Sequence, residues 1–103
     1  MARRFHLALA VDDVDRVVRD YSDRLGAPPV QLVPGAYALW RTPEVNLSVS
    51  RARGADVGAQ LRHVGFEDAS AAEKTTATDC TGLMWERFGP DHQDAEIAQI
   101  YRT

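Results

Sequence analysis

The chain predicts an α+β fold made of paired β-α-β-β-β modules, the second of them truncated. Three observations carry this expectation. An alternating strand with a histidine near its start occurs twice, as Phe5-His6-Leu7-Ala8-Leu9-Ala10-Val11 and as Arg62-His63-Val64-Gly65-Phe66-Glu67. An amphipathic helix with an aspartate at its head follows the first copy, and three short strand patterns follow that helix. At 103 residues the chain has room for one domain with a core of its own. Module one covers residues 4–51, a linker 52–59, and the shortened module two 60–103.

Residues 4–11 alternate, so His6 shares a face with Ala8 and Ala10, while Leu7, Leu9 and Val11 occupy the other, where a helix can cover them. Asp12 or Asp13 stands at the N-cap of a helix with Val14, Val17, Val18, Tyr21 and Leu25 on one stripe. Asp15, Arg16, Arg19, Asp20 and Asp23 fill its opposite side, and Gly26 ends it. After the extended Ala27-Pro28-Pro29, strands are predicted over Val30–Val33, Ala36–Arg41 and Val45–Arg51, separated by Pro34-Gly35 and Thr42-Pro43. In the last of these Val45, Leu47 and Val49 face the helix. Glu44, Asn46, Ser48 and Ser50 face the other way, which predicts a wet, polar cleft. Trp40, on a face with Ala36 and Ala38, is a candidate cleft wall if that face is the inner one. Gly54 and Gly58 give residues 52–59 the composition of a linker.

In the second copy His63 shares a face with Leu61, Gly65 and Glu67. Ser70-Ala71-Ala72-Glu73 has the form of a capping box, but residues 74–79 offer no apolar stripe, so any helix here is short. Leu83–Phe88 reads as a strand and residues 89–94 as a turn with His92 in solvent. Ala95–Arg102 reads as a last strand, with a helix from Asp94 as the competing assignment.

A formal charge of -3 and a pI near 5.5 argue against nucleic acid as a partner, since phosphate neutralisation calls for a clustered basic surface. With Cys80 as the single cysteine there is no intramolecular disulfide. The first apolar run is broken at Asp12-Asp13, short of a signal or membrane segment, which predicts a cytoplasmic protein with no membrane partner. No nucleophile triad, phosphate loop or paired-cysteine zinc motif supports another enzyme class.

Two histidines at matched positions over small neighbours are how a duplicated unit would build a metal site. Ligation of one ion by both then requires ring nitrogens about 3 to 3.5 Å apart. The modular pattern resembles the vicinal oxygen chelate superfamily of glyoxalases, ring-cleaving dioxygenases and bleomycin-resistance proteins. Within it, Phe5-His6-Leu7-Ala8-Leu9, Tyr21-Ser22, Leu25-Gly26, Pro34-Gly35-Ala36-Tyr37-Ala38 and Asn46-Leu47-Ser48 are similar to the cadmium-induced and organoarsenical carbon–arsenic lyase group, over most of residues 4–68. That resemblance implies a divalent metal, Fe(II), Ni(II) or Zn(II), held by His6, His63 and a residue of the final strand. The family's final strand reads aromatic-Glu-apolar-aromatic, and Ala98-Gln99-Ile100-Tyr101 occupies the matching place, so Gln99 is the implied third ligand. Where glyoxalases bring a further Glu this chain has Asn46. Where the arsenic lyases carry two adjacent cysteines it has Cys80 and Thr81. The resemblance also implies a homodimer, since loss of the second helix and the rim strand after it would bare the back of Val64 and Phe66.

The sequence therefore predicts a small glyoxalase- or dioxygenase-like protein that binds a metal and a small molecule, as a lyase or dioxygenase. Tyr37, Trp40, Asn46, Ser48 and Cys80 are its candidate ligand-binding residues. The alternatives are a metal-free binding or sequestering protein and a degenerate paralogue.

Overall fold

Asp13 is extended and its carboxylate accepts from the Arg16 N–H at 3.0 Å, which fixes the start of helix α1 (Val14–Leu25); Gly26 ends it in the left-handed region at φ 71°. Of the predicted stripe, Val14 is buried outright. Val17, Val18, Tyr21 and Leu25 pack against Val11, Ala38, Trp40, Leu47 and Val49 of the sheet. The computed structural model describes residues 3–52 and 59–101, so the predicted linker lies almost wholly outside the described residues.

The strands are β1 (Arg3–Val11), β2 (Gln31–Val33), β3 (Tyr37–Arg41), β4 (Val45–Arg51), β5 (Ala59–Asp68), β6 (Thr75–Thr78) and β7 (Met84–Phe88), followed by helix α2 (Pro90–Tyr101). They form one mixed sheet in the order β2-β3-β4-β1-β5-β7-β6. The pairing repeats between halves. β1 lies parallel to β4 and β5 parallel to β7, β3 and β6 add antiparallel outside them, and the two opening strands pair antiparallel at the centre. Among the described residues the second half has no counterpart of β2, and a turn, not a helix, joins β5 to β6.

Several sequence expectations change. Residues 75–78 are an exposed edge strand, not part of a short helix. Residues 95–101 belong to α2, so the competing assignment was the correct one and the helix starts four residues earlier than it proposed, with Pro90 at its first position where the missing N–H costs nothing. Leu61 is turned off His63's face: the β1–β5 register runs Ala8↔His63 and then Leu9↔Leu61, leaving Arg62 as a bulge, so Leu61 lies opposite Leu9 on the α1 side.

The sheet's two faces differ. One carries α1 across β1, β4 and β3. Beyond α1 that face holds Phe5, Phe66 and Trp85, with ring centroids 5.6 to 6.3 Å apart and the Arg3 guanidinium 4.1 Å from the Phe66 ring centroid. Val64, expected to be bared there, is buried at 5% exposure. The other face carries His6, Asn46, Ser48, His63 and Glu86, and α2 roofs part of it by packing Ile97 on Tyr37 and Leu39 and Tyr101 on Tyr37. Among the described residues no helix is long and apolar enough to cross a membrane.

Candidate metal centre

His6 and His63 come together because β1 and β5 are neighbours and both residues point to the face away from α1. Their Nε2 atoms stand 3.1 Å apart, within the range that shared ligation of one ion requires. The third member is Glu86, whose Oε1 lies 3.1 Å from His63 Nε2. In the β5–β7 ladder Gly65 is opposite Glu86, so the carboxylate emerges on the same face as His63. The three donor atoms lie within 4.8 Å of one another.

A buried network sets the protonation of His6. Glu67, 1% exposed, accepts from Arg4 and from Arg41 Nε at 2.9 Å, so it is a carboxylate with lone pairs only. Asn46 Nδ2 donates to it at 2.8 Å and to Gln93 Oε1 at 2.7 Å. The amide orientation is thereby assigned, and Asn46 Oδ1 faces His6 Nδ1 at 2.8 Å, where it can only accept. His6 therefore carries its proton on Nδ1 and turns the Nε2 lone pair toward the centre, the arrangement in which a hydrogen-bonded ring serves as a metal ligand. Burial lowers the pKa of His6, and the neighbouring His63 lowers it further against the Asn46 hydrogen bond.

Burial alone would raise the Glu86 pKa, but the hydrogen bond and charge of His63 and the charge of Lys74 bring it down to about 2. Lys74 Nζ lies 3.2 Å from Glu86 Oε2 and 2.9 Å from Glu96 Oε2, so Oε2 is engaged and Oε1 is left for the centre. Around these groups is a cavity of about 200 Å³, walled by Met84, Phe88, Ile97 and Ile100 and edged by Ser48 and Arg62. It is smaller than the roughly 300–1,000 Å³ of drug-sized ligand sites, so it takes a small molecule.

Of the residues singled out from sequence, the fold gathers His6 and His63 with Asn46 behind them, and Tyr37 and Ser48 in the cavity lining. Burial raises the Tyr37 pKa, with the Ser48 hydroxyl working the other way, so the phenol keeps its proton. Three residues fall elsewhere. Gln99 is exposed on α2, because a helical residue outside the cavity-facing set Gln93, Glu96, Ile97, Ile100 and Tyr101 points away from it. Trp40 lies on the α1 face, buried against Tyr21 with Nε1 donating to Ala27 O at 3.0 Å. Cys80 is exposed in the β6–β7 turn, which Asp79 organises by accepting from Thr81, Leu83 and Trp85. His92, expected in solvent, is half-buried in the first turn of α2, where Nδ1 accepts from the Gly89 N–H at 2.8 Å and the ring lines the cavity.

Glu86 was missed, although Trp85-Glu86-Arg87-Phe88 carries an aromatic-Glu-x-aromatic signal. No family model matches the chain, and no curated protein matches it.

Proposed function

We propose that the protein is a small metal-dependent enzyme of the vicinal oxygen chelate type, with His6, His63 and Glu86 as a facial two-histidine, one-carboxylate set. The observation that carries this is the convergence of two imidazole Nε2 atoms and a carboxylate oxygen at 3.1 Å spacings, with the His6 lone pair fixed inward by a buried network. At 3.1 Å apart the two nitrogens could both reach one divalent ion, which His6, His63 and Glu86 would hold. Two imidazoles and one carboxylate suit Fe(II), Ni(II) or Zn(II), and three protein ligands would leave positions for ligand oxygens.

When bound, the metal would supply Lewis acidity to vicinal oxygens of a small substrate and, if it is Fe(II), the electrons that dioxygen chemistry needs. The chain supplies the rest. Asn46 orients His6, and Lys74 holds Glu86 Oε2 so that the carboxylate presents one oxygen. The Tyr37 hydroxyl keeps its proton at Oη and can donate it to a substrate oxygen in the cavity. Phe88, with its ring centroid 5.0 Å from that of His6, Met84 and Ile97 limit water around the reacting atoms. The dioxygenase reading stands ahead of arsenical lyase chemistry, because Cys80 lies outside the cavity lining and has no neighbouring thiol.

The test is uptake of Fe(II), Ni(II) and Zn(II) in turn by the wild type and by His6→Ala, His63→Ala and Glu86→Ala. Each substitution is expected to weaken binding, with Gln99→Ala as the silent control. Equal uptake by all forms would remove the enzyme reading.

One observation favours the second reading, a metal-free binding or sequestering protein. A proton on His63 Nε2 satisfies the cluster by itself, and among the described residues every buried side-chain polar atom has a partner without an ion. We also propose a second copy of the chain as the cover of the half-exposed Phe5–Phe66–Trp85 face; a monomer in sedimentation would overturn that.

A further inference from the structure

We infer that Arg62 is the anion-recognising residue of this cavity and that the ligand taken beside His6, His63 and Glu86 is a small oxyanion. The inference rests on the metal-centre reading for the ligand's second anchor. In a regular strand Arg62 would point away from His63, toward the α1 face. The bulge between the Ala8↔His63 and Leu9↔Leu61 pairs removes that alternation, and Arg62 Nη1 instead donates to Ser50 Oγ at 3.1 Å on the cleft side, at the edge of the cavity. Bulges re-aim side chains in this way beside functional sites.

The two cations of the cavity differ in what already matches them. Lys74 lies between two carboxylates, Glu86 and Glu96, so its charge is answered within the protein. Arg62 has no carboxylate in ion-pair range among the described residues; its partner is a neutral hydroxyl. The remaining N–H groups of its planar fork can donate to a carboxylate or phosphate, the groups its geometry fits. Charge points the same way. Glu86 and Glu96 balance Lys74 and Arg62, so a divalent ion leaves the loaded cavity positive by its own charge. An oxyanion lying between Arg62 and an ion that His6, His63 and Glu86 would hold would answer both.

Titration calorimetry on the full chain, metal-free and Ni(II)-loaded, tests this with glycolate, inorganic phosphate and the neutral diol ethylene glycol. The loaded wild type is expected to bind at least one of the two anions about tenfold more tightly than the diol. Glycolate alone identifies the source as a carboxylate, and phosphate alone as a phosphate. Arg62→Gln is expected to abolish the preference while keeping the wild-type melting temperature and Ni(II) affinity. No preference for either anion, or a preference that survives in Arg62→Gln, would overturn the assignment. Should the wild type take up no Ni(II), the metal reading fails by itself and the metal-free titration decides: anion binding lost in Arg62→Gln supports the residue's role, and its absence in the wild type removes it.

Discussion

Gly65→Ala is the sharpest perturbation of the centre, because it adds one methyl group between His6 and Glu86 while all three candidate ligand residues are retained. Gly65 lies opposite His6 in the β1–β5 ladder and opposite Glu86 in the β5–β7 ladder. A Cβ built there falls 1.9 Å from the Glu86 carbonyl oxygen and 2.8 Å from its carbonyl carbon and amide nitrogen. All three are backbone atoms, so no rotamer change relieves the overlap. Ordinary contact begins at 3.4 Å, so β7 must retreat until the 1.9 Å separation opens to that distance. Ladder hydrogen bonds have a mode near 2.9–3.0 Å, and a displacement of this size breaks them locally. The Glu86 carboxylate moves with its strand, whereas metal–ligand distances tolerate only about 0.2 Å. The expected cost is about 3 kcal/mol of stability, at the upper end for overpacking, or a fall in melting temperature on the order of 15 °C. Ni(II) should no longer raise that temperature. Gly82→Ala is the control: nothing lies within 4 Å of its Cβ and only its φ of +88° is strained, at about 1 kcal/mol. Thermal melts with and without Ni(II) give the answer. A Gly65→Ala protein that melts with Gly82→Ala and binds Ni(II) like the wild type would refute the reasoning.

Asn46→Ala removes the acceptor that fixes the His6 tautomer, and Ni(II) affinity should drop about 10- to 100-fold by competition with a chelating dye, while Gln99→Ala leaves it unchanged. Glu67→Gln leaves Arg4 and Arg41 facing a neutral amide in a buried network, and urea titration should find the protein destabilised by about 3 kcal/mol. Acid should act in two stages. His6 has a folded pKa below 6.5, so its contribution to stability is present above pH 6.5 and is lost as pH falls through the lower folded value. Glu86 contributes above its ordinary 4.5 and is lost between 4.5 and about 2. Urea midpoints across the acid range should therefore keep falling below pH 4.5 in the wild type, and His6→Gln should remove the upper stage while keeping the lower. Protons compete for the His6 imidazole, so Ni(II) affinity should also weaken as pH falls through its lowered folded pKa.

The first half of the chain is legible in sequence because its local signals agree. Asp13 caps, the apolar spacing from Val14 to Leu25 fits one helical face, Gly26 stops it, and the alternation of Val45–Ser50 divides β4 into an α1 face and a cleft face. β6 is not legible for a physical reason: Thr75-Thr76-Ala77-Thr78 is exposed along its whole length and is held by backbone pairing to β7, so no hydrophobic period marks it. The histidine pair was legible, since a matched position in two opening strands needs only the alternation rule and the pairing of β1 with β5.

The third candidate ligand turns on a single element. Ile97, Ile100 and Tyr101 stand at i, i+3 and i+4, Pro90 sits at a helix start and Asp91 in the first turn, all of which mark a helix. Reading residues 95–102 as a strand instead put the final strand, and with it the carboxylate position, at Gln99. Once a helix stands there, β7 is the last strand among the described residues, and its Trp85-Glu86-Arg87-Phe88 supplies a Glu between two aromatics, with the charged Arg87 where the expected pattern is apolar, and the negative charge that an amide lacks. The bulge at Arg62 has no such signature. It arises from register between two strands whose own sequences permit regular pairing, and it reverses which faces Arg62 and Leu61 take. The same holds for the proton on His6 Nδ1, which depends on a chain of contacts through Asn46 and Glu67 to Arg4 and Arg41. Residue types at a site can be read wherever they lie on regular strands, but the direction of a lone pair is set by partners that only the folded sheet brings within reach.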